Sequence, residues 1–192
     1  TLTGSPLLSV DDIALPGKHN LSNMLCAATS SSLMGISDKH IANIMKTFIG
    51  VEHRLENVAI IKDVTYINDS KATNLDSVSV AIQSFNKPVV LILGGRNKGA
   101  DFRLLLPHIK SSHVRDIISY GEAGGQISTA IGDAVRSVQV TDLNSAVTTA
   151  QRLAAPGDVV LLSPGCASFD QFANFEERGQ YFKTKVMEMM AA

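Results

Sequence analysis

Two short runs of apolar residues constrain the fold of this chain more than any other feature. The first, VVLIL at 89–93, ends abruptly in two glycines, and the second, VVLL at 159–162, follows a Pro-Gly-Asp turn. Apolar runs without polar alternation are typical of strands buried on both faces of a parallel sheet. The two runs therefore predict an α/β fold whose central strands are covered by helices on both sides.

Strand and helix patterns alternate along the chain from about residue 51 onward. The patterns predict strands at 58–61, 65–68, 89–93, 116–120, 138–140 and 159–162. They predict helices at 75–85, 102–109, 123–131, 143–153 and 175–190, with Asn74 and Asp142 as N-caps. Strands that alternate with helices of this length indicate a doubly wound, mostly parallel sheet.

Two helical patterns precede this alternation and have no strands of their own. Asn20 is predicted to cap the first helix, which Gly35 ends, and Ser37 is predicted to cap the second, which Gly50 ends. The second helix carries an apolar stripe at Ile41, Ile44, Met45 and Phe48. Helices without a sheet to cover indicate that residues 1–48 are the end of another domain, followed by the α/β domain at 49–192.

The composition argues against several classes of function. The 192 residues carry 17 Lys and Arg against 18 Asp and Glu, so there is no basic excess for nucleic-acid binding. No apolar run approaches the ~20 residues of a membrane span, and the N-terminus lacks the features of a signal peptide. Cys26 and Cys166 lie far apart in a predicted helix and a loop, which predicts free thiols in a cytosolic chain.

Three predicted strands end in polar loops, which a parallel sheet would bring to one edge. These loops are NDSKATN at 68–74, GGRNKG at 94–99 and SPGCASFD at 163–170. Lysines in the first two loops offer charge to a carboxylate or phosphate, and helix N-termini add free N–H groups. Each loop alone also fits an ordinary turn: an Asn-capped helix start, a surface turn with solvated cations, and a Ser/Asp-capped helix start.

Further candidate residues lie outside these loops. Arg54 could clamp a phosphate with two hydrogen bonds, or it could pair with Glu52 or Glu56 at the surface. Asn20 and Asn23, one helical turn apart, could bind a ring edge or simply form a polar helix face. The five histidines show no metal-ligand spacing, and neither GxxxxGK[ST] nor GxGxxG occurs. Cys166 has no recognisable histidine partner and is interpreted as a packing residue.

Taken in order, these segments resemble the Mur ligase family. The matching segments are GKHNxxN at 17–23, HRLE at 53–56, YINDSKATN at 66–74, GGxxK at 94–98, LSPGCASFDQF at 162–172 and NFExRG at 174–179. The serine in NDSKATN and the SPxCASFDQF segment are similar to the members of the family that add D-glutamate. The resemblance covers essentially the whole chain.

The resemblance implies a Rossmann-like C-terminal ligase domain at 49–192, preceded by the C-terminal remnant of a central ATPase domain at 1–48. It implies an ATP-binding bacterial ligase of the cytoplasm that serves peptidoglycan synthesis, cell wall biogenesis, cell shape and cell division. Such an enzyme joins D-glutamate to UDP-N-acetylmuramoyl-L-alanine through an acyl-phosphate, using ATP and Mg²⁺. The phosphate-binding loop, the carbamylated lysine, the main magnesium ligands and the UDP-sugar domain belong upstream, so we expect this chain alone to be inactive.

The resemblance also implies roles for individual residues. Asn20 and Asn23 would lie at the adenine of ATP, Asp69 would contact the ribose, and Arg54 and Lys71 would contact the nucleotide phosphates as catalytic candidates. D-glutamate would be held by Thr73, Lys98, Ser168 and the backbone around Phe175. Two positions depart from the family pattern: Asn97 stands where an aspartate is common, and Gly165 replaces a frequent alanine.

Two other interpretations remain open. A related Mur-type or folylpolyglutamate-synthase-like ligase would prefer L-glutamate or a diamino acid over D-glutamate. A non-catalytic Rossmann-like binding module is the second. Arg54 and Lys71 argue against that module, because phosphate-directed cations make sense only opposite a phosphate-binding loop.

Overall fold

The computed structural model describes residues 6–15 and 18–190. The chain divides into two compact units, Thr1–Val51 and Glu52–Ala192. The assignment of residues 1–48 to an ATPase-domain remnant and of 49–192 to a ligase domain stays a prediction. No helix within the described ranges is long and apolar enough to cross a membrane.

The first unit is helical. A 3₁₀ turn at Val10–Asp12 precedes α1 (Lys18–Leu33) and α2 (Asp38–Thr47). Its small core consists of Met24, Ile41 and Met45, which pack against Leu7, Leu8, Ile13, Leu15 and Ala28. The other two members of the predicted α2 stripe are not buried, because Ile44 is 61% and Phe48 is 40% exposed.

The predicted cap of the first helix is wrong. Helix α1 already begins at Lys18, so Asn20 lies within its first turn rather than before it. Apolar spacing indicates a helix only from Leu21 onward, and it gives no signal for a polar first turn. The predicted end of the first helix is confirmed, since Gly35 follows the end of α1 with a φ angle of 85°, a conformation that suits glycine after a helix. The predicted end of the second helix is wrong, because α2 already ends at Thr47 with an extended Phe48 after it, three residues before Gly50.

The second unit is built on one six-stranded sheet, which confirms the predicted α/β class. The strands are β1 (Glu56–Ile61), β2 (Val64–Asn68), β3 (Val89–Gly94), β4 (Val114–Tyr120), β5 (Arg136–Gln139) and β6 (Val159–Gly165). Their order is β1-β2-β6-β3-β4-β5. Strand β1 pairs antiparallel with β2 at one edge, and all other neighbours are parallel.

Helices cover both faces of this sheet. They are α3 (Leu75–Ile82), α4 (Leu106–Lys110), α5 (Gly124–Ile131), α6 (Leu143–Leu153) and α7 (Phe175–Met190), with 3₁₀ segments at Phe102–Leu105 and Gly132–Ala134. Every residue of β3 and β6 is buried, because α3, α4 and α5 pack on one face and α6 and α7 on the other. This confirms the interpretation of the two apolar runs.

The predicted helix starts in this unit are also confirmed. The Asn74 side chain accepts a hydrogen bond from the Ser77 N–H at 2.9 Å, and Asp142 accepts one from the Ser145 N–H at 2.8 Å. Helix α3 ends at Ile82 rather than at 85, because the chain turns toward β3 ahead of Pro88. The predicted 102–109 helix is a 3₁₀ segment followed by α4, with Pro107 in the first turn of α4.

Candidate ligand-binding site

The three polar loops meet at one edge of the sheet, as their positions after parallel strands predict. Strands β2, β6 and β3 are neighbours, so the loops that follow them lie side by side. The Gly165 N–H donates to the Ala72 carbonyl at 2.8 Å. Arg96 and Ala167 exchange two backbone hydrogen bonds of 2.9 and 3.0 Å. These bonds join the three loops into one continuous surface.

A buried guanidinium holds the first and third loops against α7. Arg178 has 0% exposure. Its Nε donates to Ser70 Oγ at 2.9 Å, while Nη2 donates to the Ser70 carbonyl at 2.8 Å and Nη1 to the Cys166 carbonyl at 3.1 Å. Ser70 Oγ donates in turn to the Phe175 carbonyl at 2.7 Å. Arg178 thus fixes the backbone around three of the predicted ligand-binding segments.

The charge of Arg178 is not balanced by an ion pair. Its hydrogen-bond partners are neutral oxygens, and no carboxylate in residues 6–15 and 18–190 lies within ion-pair distance of it. A positive charge in a low-dielectric interior acts over a longer range than one in water. The buried cation therefore contributes positive potential at this edge of the sheet.

Arg178 lies in the NFExRG segment at 174–179, and the sequence alone predicts no separate role for it. A signal for it exists, because Arg178 lies three residues after Phe175 and four before Phe182 on the same stripe of α7. A charged residue on an apolar helix stripe is seldom buried without polar partners. Its partners, however, are Ser70, which is 108 positions away, and Cys166, which lies in a loop outside the helix, and helical periodicity reveals neither.

The lysine loop after β3 has a fixed internal structure. Asn97 Oδ1 accepts from the Ala100 N–H at 2.8 Å, and its Nδ2 donates to Gln126 Oε1 at 2.8 Å. Arg96 forms two hydrogen bonds with Glu122, of 2.9 and 2.8 Å. Lys98 is exposed, with no carboxylate of the described segments within ion-pair distance. Asn97 thus organises the loop, and Lys98 remains available to a ligand.

The other predicted amino-acid contacts lie around the Arg178 network. Ser168 is buried, while Thr73 and Phe175 are half-buried. The exposed Lys71 places its Nζ 5.6 Å from the centre of the Phe175 ring. The left-handed φ of 67° at Gly165 explains the glycine there, since alanine would strain this backbone.

The third loop does not begin a helix directly, contrary to the alternative that its Ser and Asp residues cap one. Helix α7 starts only at Phe175, and Asn174 accepts the Glu177 N–H at 2.7 Å in its first turn. Asp170 instead accepts from the Glu122 N–H at 3.2 Å. Cys166 is buried and free, and burial raises the pKa of its thiol to about 12, which agrees with a packing role.

Asp69 is a buried carboxylate whose two oxygens are both engaged. Oδ1 accepts from the Leu55 N–H at 3.2 Å, and Oδ2 accepts from Ser163 Oγ at 2.8 Å. Burial raises the pKa of Asp69 to about 6, although these hydrogen bonds and the charge of Arg54 oppose the shift. The contact of Asp69 with a ribose stays a prediction, and it would have to share oxygens that already accept protein hydrogen bonds.

The Asp69 carboxyl is expected to titrate near pH 6 instead of near its ordinary value of 3.8. Because its folded pKa is raised, the stability it contributes is fully present below about pH 4 and is lost as the pH rises through about 6. Carbon-13 NMR of the carboxyl gives the titration directly. The free energy of unfolding of Asp69→Asn, whose side chain does not titrate, should lack this pH dependence. Titration near pH 4 would contradict burial as the dominant cause.

A turn at 53–55 carries Arg54 at the start of the second unit. His53 and Leu55 have left-handed φ angles of 64° and 45°, and the Arg54 side chain between them is exposed. The buried His53 ring lies edge-on to Phe175, with 6.1 Å between ring centres, and its Nδ1 is 2.9 Å from Asn68 Nδ2. Arg54 therefore sits beside the predicted ligand-binding loops.

The alternative pairing of Arg54 with Glu52 or Glu56 does not occur. Both carboxylates bind Lys183, whose Nζ lies 2.9 Å from Glu52 Oε1 and 2.6 Å from Glu56 Oε1. Glu52, His53 and Glu56 also form the cluster of possible metal ligands in the described part of the chain. The Lys183 ammonium already supplies the positive charge there, and Mg²⁺ prefers oxygen ligands alone, so this cluster does not fit that ion.

Asn20 and Asn23 belong to the first unit. Both lie on α1, where Asn20 is half-buried and Asn23 is exposed. Their predicted place at the adenine of a nucleotide stays a prediction.

An open, mostly parallel sheet covered by helices on both faces defines a doubly wound α/β domain, and domains of this class usually bind ligands at the carboxyl ends of their strands. Residues 53–166 match the family described as "Mur ligase, glutamate ligase domain", and the chain belongs to this family.

Two relatives show the level of similarity. The UDP-N-acetylmuramoylalanine–D-glutamate ligase of Salinibacter ruber is 43% identical over 185 residues, which cover 96% of this chain and 40% of the relative. That of Lactobacillus delbrueckii subsp. bulgaricus is 45% identical over 185 residues, with 95% and 40% covered. The chain thus spans about two fifths of the length of these relatives.

Solved structures share the fold at low sequence identity. The UDP-N-acetylmuramate–alanine ligase of Thermotoga maritima has a TM-score of 0.68 at 14% identity, over 92% of this chain and 38% of the other. The bifunctional folylpolyglutamate synthase/dihydrofolate synthase of Yersinia pestis has a TM-score of 0.57 at 18% identity, over 82% and 35%. These similarities confirm the α/β architecture.

Proposed function

We propose that this chain is the amino-acid-binding part of a cytoplasmic, ATP-dependent bacterial ligase that adds D-glutamate to UDP-N-acetylmuramoyl-L-alanine in peptidoglycan synthesis. The observation that carries the proposal is the convergence of Lys71, Lys98 and the buried Arg178 at one edge of the sheet. A dicarboxylic amino acid and a nucleoside triphosphate are both negatively charged, so the binding of either requires cations of this kind. The similarity to D-glutamate ligases supports the choice of amino acid.

In this proposal the two ligands share the loop at 68–74 and otherwise bind to different segments. Lys98 pairs with the side-chain carboxylate of D-glutamate, while Thr73, Ser168 and the backbone near Phe175 hold the rest of the amino acid. Arg54 and Lys71 stabilise the phosphate charge of ATP. Residues 1–48 supply Asn20 and Asn23 to the adenine side, as the end of the ATPase domain.

The proposed reaction begins when the terminal carboxylate of the UDP-linked substrate attacks the γ-phosphorus of ATP and releases ADP. The amine of D-glutamate then attacks the acyl-phosphate carbonyl. A C–N bond forms, the C–O bond to phosphate breaks, and the amine loses a proton. Cations near the transferred phosphoryl group lower the energy of both steps, since negative charge is concentrated there. Mg²⁺ would supply further positive charge in the complete enzyme, from ligands outside this chain.

The test is a backbone NMR titration of the chain with D-glutamate and, separately, with L-glutamate. We expect selective shifts at Thr73, Lys98 and Ser168 with the D-isomer. Lys98→Ala should weaken binding about tenfold, the value of one charge-assisted hydrogen bond. The matched control is Lys110→Ala, which removes an exposed lysine from α4.

The outcomes separate the proposal from its alternatives. A stronger response to L-glutamate would favour a folylpolyglutamate-synthase-like ligase. Absence of any response would contradict a preformed amino-acid site on this chain. Equal losses in the two lysine variants would show that only the net charge matters, which would contradict the specific role of Lys98.

A further inference from the structure

The turn that carries Arg54 is held in an unfavourable backbone conformation. His53 and Leu55, on either side of Arg54, both have left-handed φ angles, of 64° and 45°. Residues other than glycine seldom adopt this region, most rarely bulky ones such as leucine. Such strain persists only where the surrounding structure holds it, and it is concentrated at functional sites. Two strained residues around a single exposed arginine therefore call for a physical cause.

Hydrogen bonds to two carboxylates provide that cause. The His53 N–H donates to Glu56 Oε2 at 3.0 Å, and the Leu55 N–H donates to Asp69 Oδ1 at 3.2 Å. The Lys71 N–H closes the turn by donating to the His53 carbonyl at 3.0 Å. The amides on both sides of Arg54 thus end on anionic acceptors, which form stronger hydrogen bonds than neutral ones.

The two carboxylates are themselves fixed by the sheet and by α7. Asp69 accepts from Ser163 Oγ at 2.8 Å on β6 and is only 5% exposed. Glu56 accepts from Asn68 Nδ2 at 2.9 Å on β2 and from Lys183 Nζ at 2.6 Å on α7. The turn is therefore tied to the same elements that carry the ligand-binding loops.

We propose that Asp69 and Glu56 are positioning residues, which hold the turn at 53–55 left-handed and so direct Arg54 toward a phosphate group. The identity of the anion rests on the function proposed above, whereas the clamp itself rests on the geometry alone. In this account Asp69 acts through the Leu55 N–H and needs no contact with a sugar hydroxyl.

The first part of the test measures the clamp without a ligand. In NMR spectra of this chain, Asp69→Ala should move the Cα chemical shifts and the HN–Hα couplings of residues 53 and 55 away from the values typical of a left-handed backbone. Asp69→Asn should keep them, because its amide oxygen can still accept from Leu55. Adding Leu55→Gly to Asp69→Ala should restore the turn, since glycine adopts positive φ without help. Unchanged shifts in Asp69→Ala would overturn the proposal.

Controls address the case in which Asp69→Ala does not fold. Glu56→Ala removes the acceptor of the His53 N–H while leaving Asp69 intact, and it should loosen His53 in the same spectra. Asp76→Ala, at an exposed position in the first turn of α3, is the matched control and should leave residues 53–55 unchanged. A response of the turn to Asp76→Ala equal to its response to Glu56→Ala would contradict a specific clamp.

The second part of the test uses tripolyphosphate, which has no ribose, and ADP, which has one. Arg54→Ala should weaken tripolyphosphate binding about fivefold to tenfold. Asp69→Ala should cause a similar loss, and the double variant should lose little more, because both changes remove one interaction. Loss of ADP affinity with tripolyphosphate affinity intact would show a direct sugar contact and overturn the positioning role. If Arg54→Ala changes neither affinity, the proposed phosphate role fails, and the spectra of the turn still decide whether the clamp exists.

Discussion

Replacing Arg178 with methionine is expected to lower the free energy of unfolding by about 3 kcal/mol or more. The substitution leaves Ser70 Oγ and the Ser70 and Cys166 carbonyls without their donor. A buried polar group without a partner costs about 1–3 kcal/mol. Removal of a buried charge recovers some desolvation free energy. The cost of leaving three acceptors without a donor is larger, because methionine cannot donate a hydrogen bond to any of them. Urea unfolding measures the difference.

The matched control is Arg152→Met, which removes an exposed arginine from α6. It should change the free energy of unfolding by less than about 0.5 kcal/mol. Arg178→Lys keeps the charge but loses the planar set of donors, so it should be less stable than the unsubstituted chain. It should nevertheless retain more affinity for anions than Arg178→Met. A loss below about 1 kcal/mol in Arg178→Met would show that the network is not needed for stability.

Replacing Gly95 with alanine is expected to be as damaging, by a different route. Gly95 has a φ of 122°, and a Cβ there would lie 2.3 Å from the Ala167 carbonyl oxygen. Strain and overpacking of this kind each cost about 1–3 kcal/mol. The clash is with backbone, so relief requires the loop after β3 to separate from the loop after β6. We therefore expect both lower stability and loss of the D-glutamate response in NMR.

Gly99→Ala provides the comparison, because Gly99 also has a positive φ, of 90°, but a Cβ there would meet no atom within 4 Å. Its cost should be that of the backbone strain alone, about 1 kcal/mol. Similar losses of stability and binding in the two variants would show that the close approach of Gly95 to Ala167 has no special importance.

Local sequence signals predicted most elements of the second unit. The apolar runs at 89–93 and 159–162 lie in β3 and β6. They could be predicted because a strand buried on both faces consists almost entirely of apolar residues. Asn74 and Asp142 could be predicted as caps because a short polar side chain just before a helix can accept a backbone N–H of the first turn. The start of α1 was misplaced, since its first turn is polar and carries no periodic signal.

The order of the strands and the strain at the site could not be predicted in this way. The insertion of β6 between β2 and β3 depends on which strands pair in space, and nothing local to β6 encodes it. The left-handed turn at His53 and Leu55 lacks a glycine, so the usual signal for positive φ is absent. The loops themselves were found because lysines and amides after buried strands are informative, whereas the roles of their residues stay predictions.

The position of β6 within the sheet also determines when the edge that carries the three polar loops can assemble during synthesis. Strands β2 and β3 leave the ribosome long before β6, the strand that pairs with both of them. The bond from Arg178 to Ser70 spans 108 positions. Contacts of such long range form late, after the cost of closing the intervening loop is met. A nascent chain that stops before β6 therefore exposes the unpaired edges of β2 and β3 and lacks the bonds that join the three polar loops. Both are completed only when β6 and α7 have been synthesised.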